Sequence, residues 1–221
     1  MNFKLLNSAL ASLILSVTCL INVANAGFIT ADEALVLTGG DLGGAYDIGN
    51  TIDGSGLSIH NETGTMDGLT INQNTGTAFY SSGQNFGSVE FSFNSSTNID
   101  TFYLWQPIHL NALFSTTRGV KDFTLEFFDG ANSLGLTSLF TATKYEIDQG
   151  TYGAESFSGF SFLNVTSVIL DVKSNWGDST YWSMHEVGFN QITSEVPEPS
   201  TLAIFALGMI GLASRRFKKQ S

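Results

Sequence analysis

Residues 88–94 read Ser-Val-Glu-Phe-Ser-Phe-Asn, a stretch in which every second residue is apolar. In an extended chain, side chains point alternately to opposite faces, so the valine and both phenylalanines would share one face of a sheet. The same alternation recurs at residues 122–127 and 167–173, and helical patterns are almost absent from this part of the chain. These stretches predict antiparallel strands with one face in a core and the other in water.

Clusters of Gly, Asn, Asp and Ser separate further short apolar runs that also favour strands. These candidates lie at residues 34–38, 99–105, 134–143, 157–162 and 181–189. About eight strands at this spacing predict an all-β fold, an antiparallel sandwich or jelly roll, for residues 27–195.

The charges are distributed unevenly along the 221 residues. Residues 27–196 hold four of the nine Lys and Arg and 19 of the 20 Asp and Glu, a formal charge of −15. Nucleic-acid binding depends on clustered cations that displace counterions from phosphates. A body this acidic is therefore not expected to bind nucleic acid.

The first 26 residues predict a signal peptide. Lys4 precedes a mostly apolar run, and Ala24 and Ala26 supply the small residues that signal peptidase requires at positions −3 and −1. A membrane anchor is the alternative, but the run is short and contains Ser, Thr and Asn. Cleavage would leave Gly27 as the first residue and would remove Cys19, the only cysteine, so the mature protein would contain no disulfide.

Residues 196–221 combine three features in order. Pro197, Glu198 and Pro199 come first, an apolar run from 202 to 213 follows, and four cations, among them Arg215 and Arg216, lie close to the end. The prolines prevent a helix upstream of the run, and the cations favour the cytoplasmic side of a membrane. The alternative, an ordinary C-terminal core helix, leaves this concentration of cations unexplained.

This tail closely resembles the PEP-CTERM sorting signal of Gram-negative bacteria. The resemblance implies a single transmembrane sorting helix that holds the precursor transiently in the inner membrane. It also implies that an exosortase recognises Pro197, Glu198 and Pro199 and transfers the body to the cell surface or the extracellular matrix. The apolar helix would then be a sorting signal that is cleaved from the mature protein.

The body resembles a second family through a series of short motifs. In chain order they are Ile52-Asp53-Gly54-Ser55-Gly56-Leu57-Ser58, Tyr103-Leu104-Trp105, Arg118-Gly119-Val120-Lys121, residues 168–175 and His185-Glu186-Val187-Gly188-Phe189. This order is similar to that of discoidin, or coagulation factor C-domain-like, modules. The resemblance implies the galactose-binding-like form of the jelly-roll sandwich.

In that family a structural calcium ion is held by the aspartate of an Asp-Gly loop, by nearby carbonyls and by the glutamate that opens the last strand. The resemblance therefore implies one calcium ion on Asp53 and Glu186, with Ser55 as a further oxygen donor. Oxygen ligands suit calcium, and the ion would offset part of the negative charge. The alternative is that Asp53-Gly54 is an ordinary turn and Glu186 a solvated carboxylate at a sheet edge.

Members of this fold that bind sugars do so with aromatic faces on loops at one end of the sandwich. Trp176 lies in the polar segment Ser-Asn-Trp-Gly-Asp, and Tyr181 and Trp182 follow it. We expect these three residues to contact a ligand. Trp176 as a surface aromatic without function remains the alternative, and for Arg118 we favour an ion pair with a neighbouring carboxylate.

Motifs of the common hydrolase and phosphate-binding families are missing from the sequence. We therefore expect a non-enzymatic, exported module that associates with extracellular polysaccharide. Two alternatives stay open: a structural matrix or adhesion component without a sugar pocket, and a glycan hydrolase that uses two of the many carboxylates.

Overall fold

The structure is a computed structural model that describes residues 27–59, 65–66, 78–107, 117–145 and 152–192. All of them belong to one compact unit, Ala26–Thr193. The predicted signal peptide with Ala24 and Ala26 lies outside the described residues. So does the predicted sorting signal with Pro197, Glu198, Pro199, Arg215 and Arg216.

Thirteen strands and two short 3₁₀ helices make up the described part of this unit. The strands are β1 (Gly27–Ile29), β2 (Glu33–Thr38), β3 (Thr65–Met66), β4 (Phe79–Tyr80), β5 (Gly87–Trp105), β6 (Val120–Asp129), β7 (Asn132–Leu136), β8 (Phe140–Thr141), β9 (Tyr152–Gly153), β10 (Glu155–Phe157), β11 (Phe162–Asn175), β12 (Ser183–Met184) and β13 (Glu186–Gln191). The 3₁₀ helices are Gly44–Tyr46 and Ile48–Thr51. No helix in the regions listed above is long and apolar enough to cross a lipid bilayer.

The long strand β5 organises the main sheet. Its first half pairs with β2 and β11, and its second half pairs with β13 and β10, always antiparallel. Between the pairs Ser92–Ser167 and Thr97–Val165 the ladder is irregular, and residues 94–96 of β5 are exposed. β5 therefore belongs to both halves of one nine-stranded sheet.

The two halves of this sheet face each other across an aromatic core. Phe91 in the first half lies 6.1 Å, ring centroid to ring centroid, from Phe189 of β13, whose strand partner on β5 is Phe102. Phe102 in turn lies 5.7 Å from Phe123 of β6. The sheet thus folds over onto itself near residues 93–96 to form a two-layer sandwich.

The core is apolar because each alternating stretch directs its apolar face inward. Val89, Phe91, Phe123, Leu125 and Phe127 are all fully buried. Complete burial of one such side chain contributes roughly 1.5–3 kcal/mol to folding. The prediction of an all-β, antiparallel sandwich with this core face is confirmed.

Strand boundaries differ from the predictions where the chain bends. The candidates at 88–94 and 99–105 are one strand, β5, because ladder pairing continues on both sides of the bulge. The candidate at 134–143 is divided into β7 and β8, which both pair with β6. The candidate at 157–162 is largely a connection between β10 and β11, and the one at 181–189 is interrupted at His185.

A close approach between β1 and β13 requires a glycine. A Cβ atom at Gly188 would overlap the ring of Phe28, so any larger residue there would force β1 away from the sheet. Phe28 also contacts Trp105, with ring centroids 6.0 Å apart. Trp105 is fully buried.

Candidate functional site

Several elements meet at one end of the sandwich. β5 begins at Gly87 beside Val172 and ends at Trp105 beside Glu186, because the sheet folds over between these positions. Next to them, β6 begins at Val120, opposite Asn175 at the end of β11. We call this region, formed by residues 53–55, 78–82, 117–122 and 174–186, the loop end.

The loop end brings together the three residues predicted to hold a metal ion. The backbone N–H of Gly54 donates a hydrogen bond to Oε1 of Glu186 over 3.1 Å, although the two residues are 132 positions apart. The backbone N–H of Ser55 donates to Oδ1 of Asp53 over 2.8 Å and shapes the turn. The turn around Asp53 therefore lies directly against the first residue of β13.

Glu186 is not a solvated edge carboxylate, because its side chain is fully buried. Burial raises the pKa of Glu186 to about 9; the N–H of Gly54 acts against this rise, and the negative charge of Asp53 adds to it. A carboxyl group in such surroundings takes up a proton unless a cation lies beside it. The ionised form of Glu186 is thus unfavourable here when no cation is nearby.

Two buried oxygen atoms in this cluster fit a hard cation. Oε2 of Glu186 and Oγ of Ser55 have no hydrogen-bond partner within the part of the chain that the structure describes. Buried polar atoms are normally paired, so an unpaired carboxylate oxygen and an unpaired hydroxyl at one location call for a ligand or a water. Asp53 and Glu186 supply two carboxylates, and no group of three or more His, Cys, Asp or Glu suited to a metal occurs among the residues placed by the structure. Backbone carbonyls would have to complete the coordination of a calcium ion.

The loop that carries Trp176 is held by its neighbour Asn175. The side-chain amide of Asn175 donates to the carbonyls of Asp178 and Tyr181, both over 2.7 Å, and its Oδ1 accepts from the N–H of Gly177. Gly177 has a φ of 124°, a conformation that glycine adopts more readily than other residues. The loop is consequently a defined structure that fixes where Trp176 stands.

Trp176 is half-buried, and the ammonium group of Lys121 lies over its ring. The Lys121 ammonium lies 5.3 Å from the ring centroid, a cation–π contact. The same ammonium is 3.7 Å from Oδ2 of Asp122. The indole Nε1 of Trp176 has no hydrogen-bond partner among the described residues. Trp176 therefore offers a partly accessible aromatic ring that is in contact with a lysine ammonium.

Tyr181 follows Trp176 by five residues and contacts Arg118. The guanidinium Cζ lies 4.6 Å from the Tyr181 ring centroid and 5.6 Å from that of Tyr80. Nε of Arg118 donates to Oδ2 of Asp178 over 2.8 Å, which confirms the predicted ion pair. Burial tends to raise the pKa of Asp178, but the Arg118 hydrogen bond and two backbone N–H groups outweigh burial and lower it.

Trp182 does not belong to the surface, and this corrects the sequence-based assignment. Its side chain is fully buried and packs against Phe79, with ring centroids 5.0 Å apart. Two glycines make room for the indole: a Cβ atom at Gly87 would lie 3.1 Å, and one at Gly39 3.4 Å, from Nε1 of Trp182. Trp182 thus belongs to the core, whereas Trp176 and Tyr181 remain partly accessible.

Three features of the loop end were not predicted from the sequence. Lys121 lies over Trp176, Tyr80 forms one wall of the Arg118 contact, and His185 is buried next to Glu186. Burial raises the pKa of Tyr80 to about 12 and lowers that of His185 to about 3. His185 consequently stays neutral and closed to solvent, which does not suit a proton-transfer role. The Lys121 and Tyr80 contacts carry no sequence signal because they join distant parts of the chain, and the burial of His185 depends on the packing around it.

Comparison with known families identifies the tail. Residues 195–219 match the PEP-CTERM protein-sorting motif. The predicted sorting signal is therefore confirmed, and a motif of this kind marks an exported protein that is sorted at a membrane. A comparison with curated proteins found no relative of the chain.

Several solved structures are similar to this chain. One is the chitosan-binding module 1 from a chitosanase/glucanase of Paenibacillus sp. IK-5, at 11% identity and a TM-score of 0.49, covering 75% of this chain and 99% of the other. A second is the F5/8 type C domain of a Bacteroides fragilis protein, at 9% identity and a TM-score of 0.46, with 76% and 99% coverage. A third is CpGH89CBM32-5 from Clostridium perfringens, in complex with GalNAc-β-1,3-galactose, at 14% identity and a TM-score of 0.49, with 73% and 94% coverage.

The F5/8 type C domain is the kind of module that the short sequence motifs resemble. With TM-scores below 0.5, these likenesses say nothing about a ligand of this chain. What is established is an all-β sandwich body followed by a PEP-CTERM sorting motif.

Proposed function

We propose that residues 27–195 are a non-catalytic, surface-displayed module that associates with extracellular polysaccharide through the loop end. The tail supports export and sorting, with signal peptidase and an exosortase as processing partners and the inner membrane as the transient site of the precursor. The observation that carries the sugar-binding part is the pair Trp176 and Tyr181, two partly accessible aromatic rings held by a fixed loop. Aromatic rings of this kind supply contact area for a pyranose at little conformational cost.

A glycan array tests this proposal directly. The full-length chain is applied to neutral and acidic glycans beside Trp176→Ala and a control, Leu35→Ala, which removes a 60% exposed side chain from β2. We expect retained binding for the control and a loss of about tenfold or more in affinity for Trp176→Ala. Equal binding by all three proteins would contradict a role for Trp176.

A structural matrix or adhesion component without a sugar pocket is the second candidate. The position of the Lys121 ammonium, 5.3 Å from the Trp176 ring centroid, favours it because that face is already covered. Lys121→Met, which removes the charge and keeps much of the aliphatic chain, separates the two candidates. Appearance of glycan binding only in Lys121→Met would favour the matrix role for the natural chain.

The glycan hydrolase remains the least supported alternative. Turnover of chromogenic glycosides that is abolished by a single carboxylate substitution would establish it. Products released by the wild-type chain and by every carboxylate variant alike would point to a contaminating enzyme.

We also propose a structural calcium ion on Asp53, Ser55 and Glu186. Its support is the burial of Glu186 and the two unpaired oxygens, Oε2 of Glu186 and Oγ of Ser55, beside the Asp53 turn. When bound, the ion would supply positive charge to two carboxylates that otherwise repel each other. The chain's own contribution is to hold the turn against β13 through the Gly54–Glu186 hydrogen bond.

Thermal unfolding of the full-length chain with EDTA, calcium or magnesium tests the metal site. We expect EDTA to lower the Tm and calcium to restore it, and we expect Asp53→Ala and Glu186→Ala to lose this response. Glu186→Gln keeps the shape of the side chain if the alanine variant fails to fold, and Asp129→Ala, an exposed carboxylate on β6, is the matched control. An unchanged wild-type Tm on chelation would contradict the site.

A further inference from the structure

A groove lies on the flank of the sandwich, away from the loop end. It is formed by the connection from β7 to β8 and by the connection from β10 to β11, and its cavity volume is about 290 Å³. Its lining residues are Leu136, Thr137, Ser138, Phe140, Ser158, Gly159, Phe160, Ser161 and Phe162. None of them belongs to the metal cluster or to the Trp176 loop.

The floor of the groove is aromatic and rigid. Phe162 is stacked on the buried Phe127 with ring centroids 4.4 Å apart, and Phe160 lies 5.0 Å from Phe127. Gly135 permits this arrangement, because a Cβ atom there would lie 2.7 Å from the ring of Phe162. Rings fixed by the core need no ordering when a ligand binds, so less binding free energy is lost.

The rim of the groove carries open hydrogen-bonding groups. Ser138, Ser158 and Ser161 are exposed, and their hydroxyls form no hydrogen bond with any residue in the described part of the chain. Gly159 between two of them has a φ of 95° and no atom within 4 Å of its Cβ position, which leaves the space above the floor clear. Aromatic rings beside free hydroxyls suit a ligand with both apolar and hydroxylated faces.

The residues that line the groove are uncharged, and this limits the class of ligand that fits it. No residue in the lining is ionisable, although the body carries a formal charge of −15. A cation would find no carboxylate here and an anion no guanidinium or ammonium, so charge complementarity favours an uncharged ligand. The volume lies at the lower end of ligand pockets, at roughly 300–1,000 Å³, and suits a ligand of about one or two sugar rings.

We propose that this groove is a second saccharide-binding subsite, specific for neutral sugar units, with Phe160 and Phe162 as the stacking floor and the serine hydroxyls as hydrogen-bonding partners. The proposal is independent of the loop end, because it uses none of the residues found there. If both sites bind sugar, one chain engages a polysaccharide at two separate places, which increases avidity.

Isothermal titration calorimetry on the full-length chain in a zwitterionic, sugar-free detergent tests the subsite. The probes are cellotetraose, N-acetylchitotetraose and lacto-N-tetraose as neutral saccharides, tetragalacturonate as a charged one and decanoate as an apolar one. We expect a neutral tetrasaccharide to bind, Phe160→Ala to weaken this binding about tenfold, and Trp176→Ala to leave the groove component unchanged. The double variant Ser158→Ala with Ser161→Ala should also weaken binding, and its exposed positions keep the core intact if Phe160→Ala is poorly folded.

Several results would overturn the subsite. These are no binding of any neutral probe, binding lost in Trp176→Ala but unaffected in both groove variants, or stronger binding of tetragalacturonate or decanoate than of any neutral sugar. Self-association by analytical ultracentrifugation that disappears in the groove variants would show that a second copy of the chain occupies the groove instead.

Discussion

The aromatic core and the loop end differ in the kind of side chain that they bury. In the core, Phe102, Phe123 and Phe189 are fully buried rings without a polar atom. At the loop end, Ser183, His185 and Glu186 are also fully buried, and each has a side-chain polar atom without a partner in the described part of the chain. Thr97 on β5 also has a buried hydroxyl without a partner in that part of the chain, but it lies apart from the loop end.

This difference separates residues whose burial stabilises the fold from residues whose buried polar atoms reduce its stability. Burial of an apolar ring contributes stability directly, whereas a buried polar atom without a partner costs about 1–3 kcal/mol. Such costs persist where the surrounding structure enforces them, and they concentrate at functional sites. The core therefore supports the loop end energetically.

The largest expected effect comes from opening the core. Phe102 contacts Phe123, Phe157 and Phe189, which belong to three other strands, so Phe102→Ala should leave a cavity in contact with both layers. We expect the free energy of unfolding to fall by about 3–5 kcal/mol in urea titrations. Leu35→Ala at the surface should change it by less than about 0.5 kcal/mol. Similar losses for both variants would mean that the core is not the dominant source of stability.

A smaller loss is expected when the buried ion pair of the loop end is broken. In Arg118→Met, Asp178 keeps its backbone hydrogen bonds but loses its cation, and two tyrosine rings lose the guanidinium between them. We expect a loss of about 2 kcal/mol at neutral pH, since both side chains are only about 15% exposed.

Lys173→Met is the matched control because it breaks an ion pair with Asp171 that is almost half exposed, and it should cost less than about 0.5 kcal/mol. The pKa of Asp178 is lowered in the folded chain, so the contribution of the Arg118 pair is present above the ordinary aspartate pKa of 3.8 and is lost as the pH falls below it. A difference between wild type and Arg118→Met that stays constant down to pH 2 would contradict this assignment.

A pH-dependent effect should identify Tyr80 as a buried phenol. Its pKa is raised from 10.0 to about 12, so the unfolded chain ionises first and stability is lost as the pH rises from 10 towards 12. We expect urea titrations between pH 9 and 11.5 to show a loss that is less steep, by about 1 kcal/mol per pH unit, in Tyr80→Phe than in wild type. Parallel pH curves for the two proteins would mean that Tyr80 is accessible to solvent.

Among the loop-end substitutions, Trp176→Ala should change stability least. Trp176 is half-buried on a loop and contacts Lys121 rather than the core, so we expect a loss below about 1 kcal/mol in the same titrations. Trp182→Ala is the matching variant for comparison. Because Trp182 is fully buried, its replacement should lower the free energy of unfolding almost as much as Phe102→Ala does. Equal losses at the two tryptophans would remove the distinction between surface and core drawn here.

Much of the fold could be read from local patterns. Alternation at residues 88–94, 122–127 and 167–173 predicted which face of each strand is buried, and the Pro-Glu-Pro tail predicted a sorting signal. Of the candidate site, the resemblance to discoidin-type modules implied that Asp53, Ser55 and Glu186 lie close together, and the Gly54–Glu186 hydrogen bond places the Asp53 turn against Glu186. Whether a calcium ion binds there stays a prediction.

The remaining features depend on contacts that no local pattern encodes. Trp176 and Trp182 are six residues apart in the chain, yet one is half-buried and the other fully buried, and Gly39 and Gly87 leave room for the Trp182 indole. Alternation fixes the inner and outer face of each strand, since side chains repeat every two residues along a strand. The contacts across 60 and 132 residues, between Arg118 and Asp178 and between Gly54 and Glu186, are decided by the way the sheet folds over at β5. Long-range packing of this kind determines burial, pKa and the shape of a site.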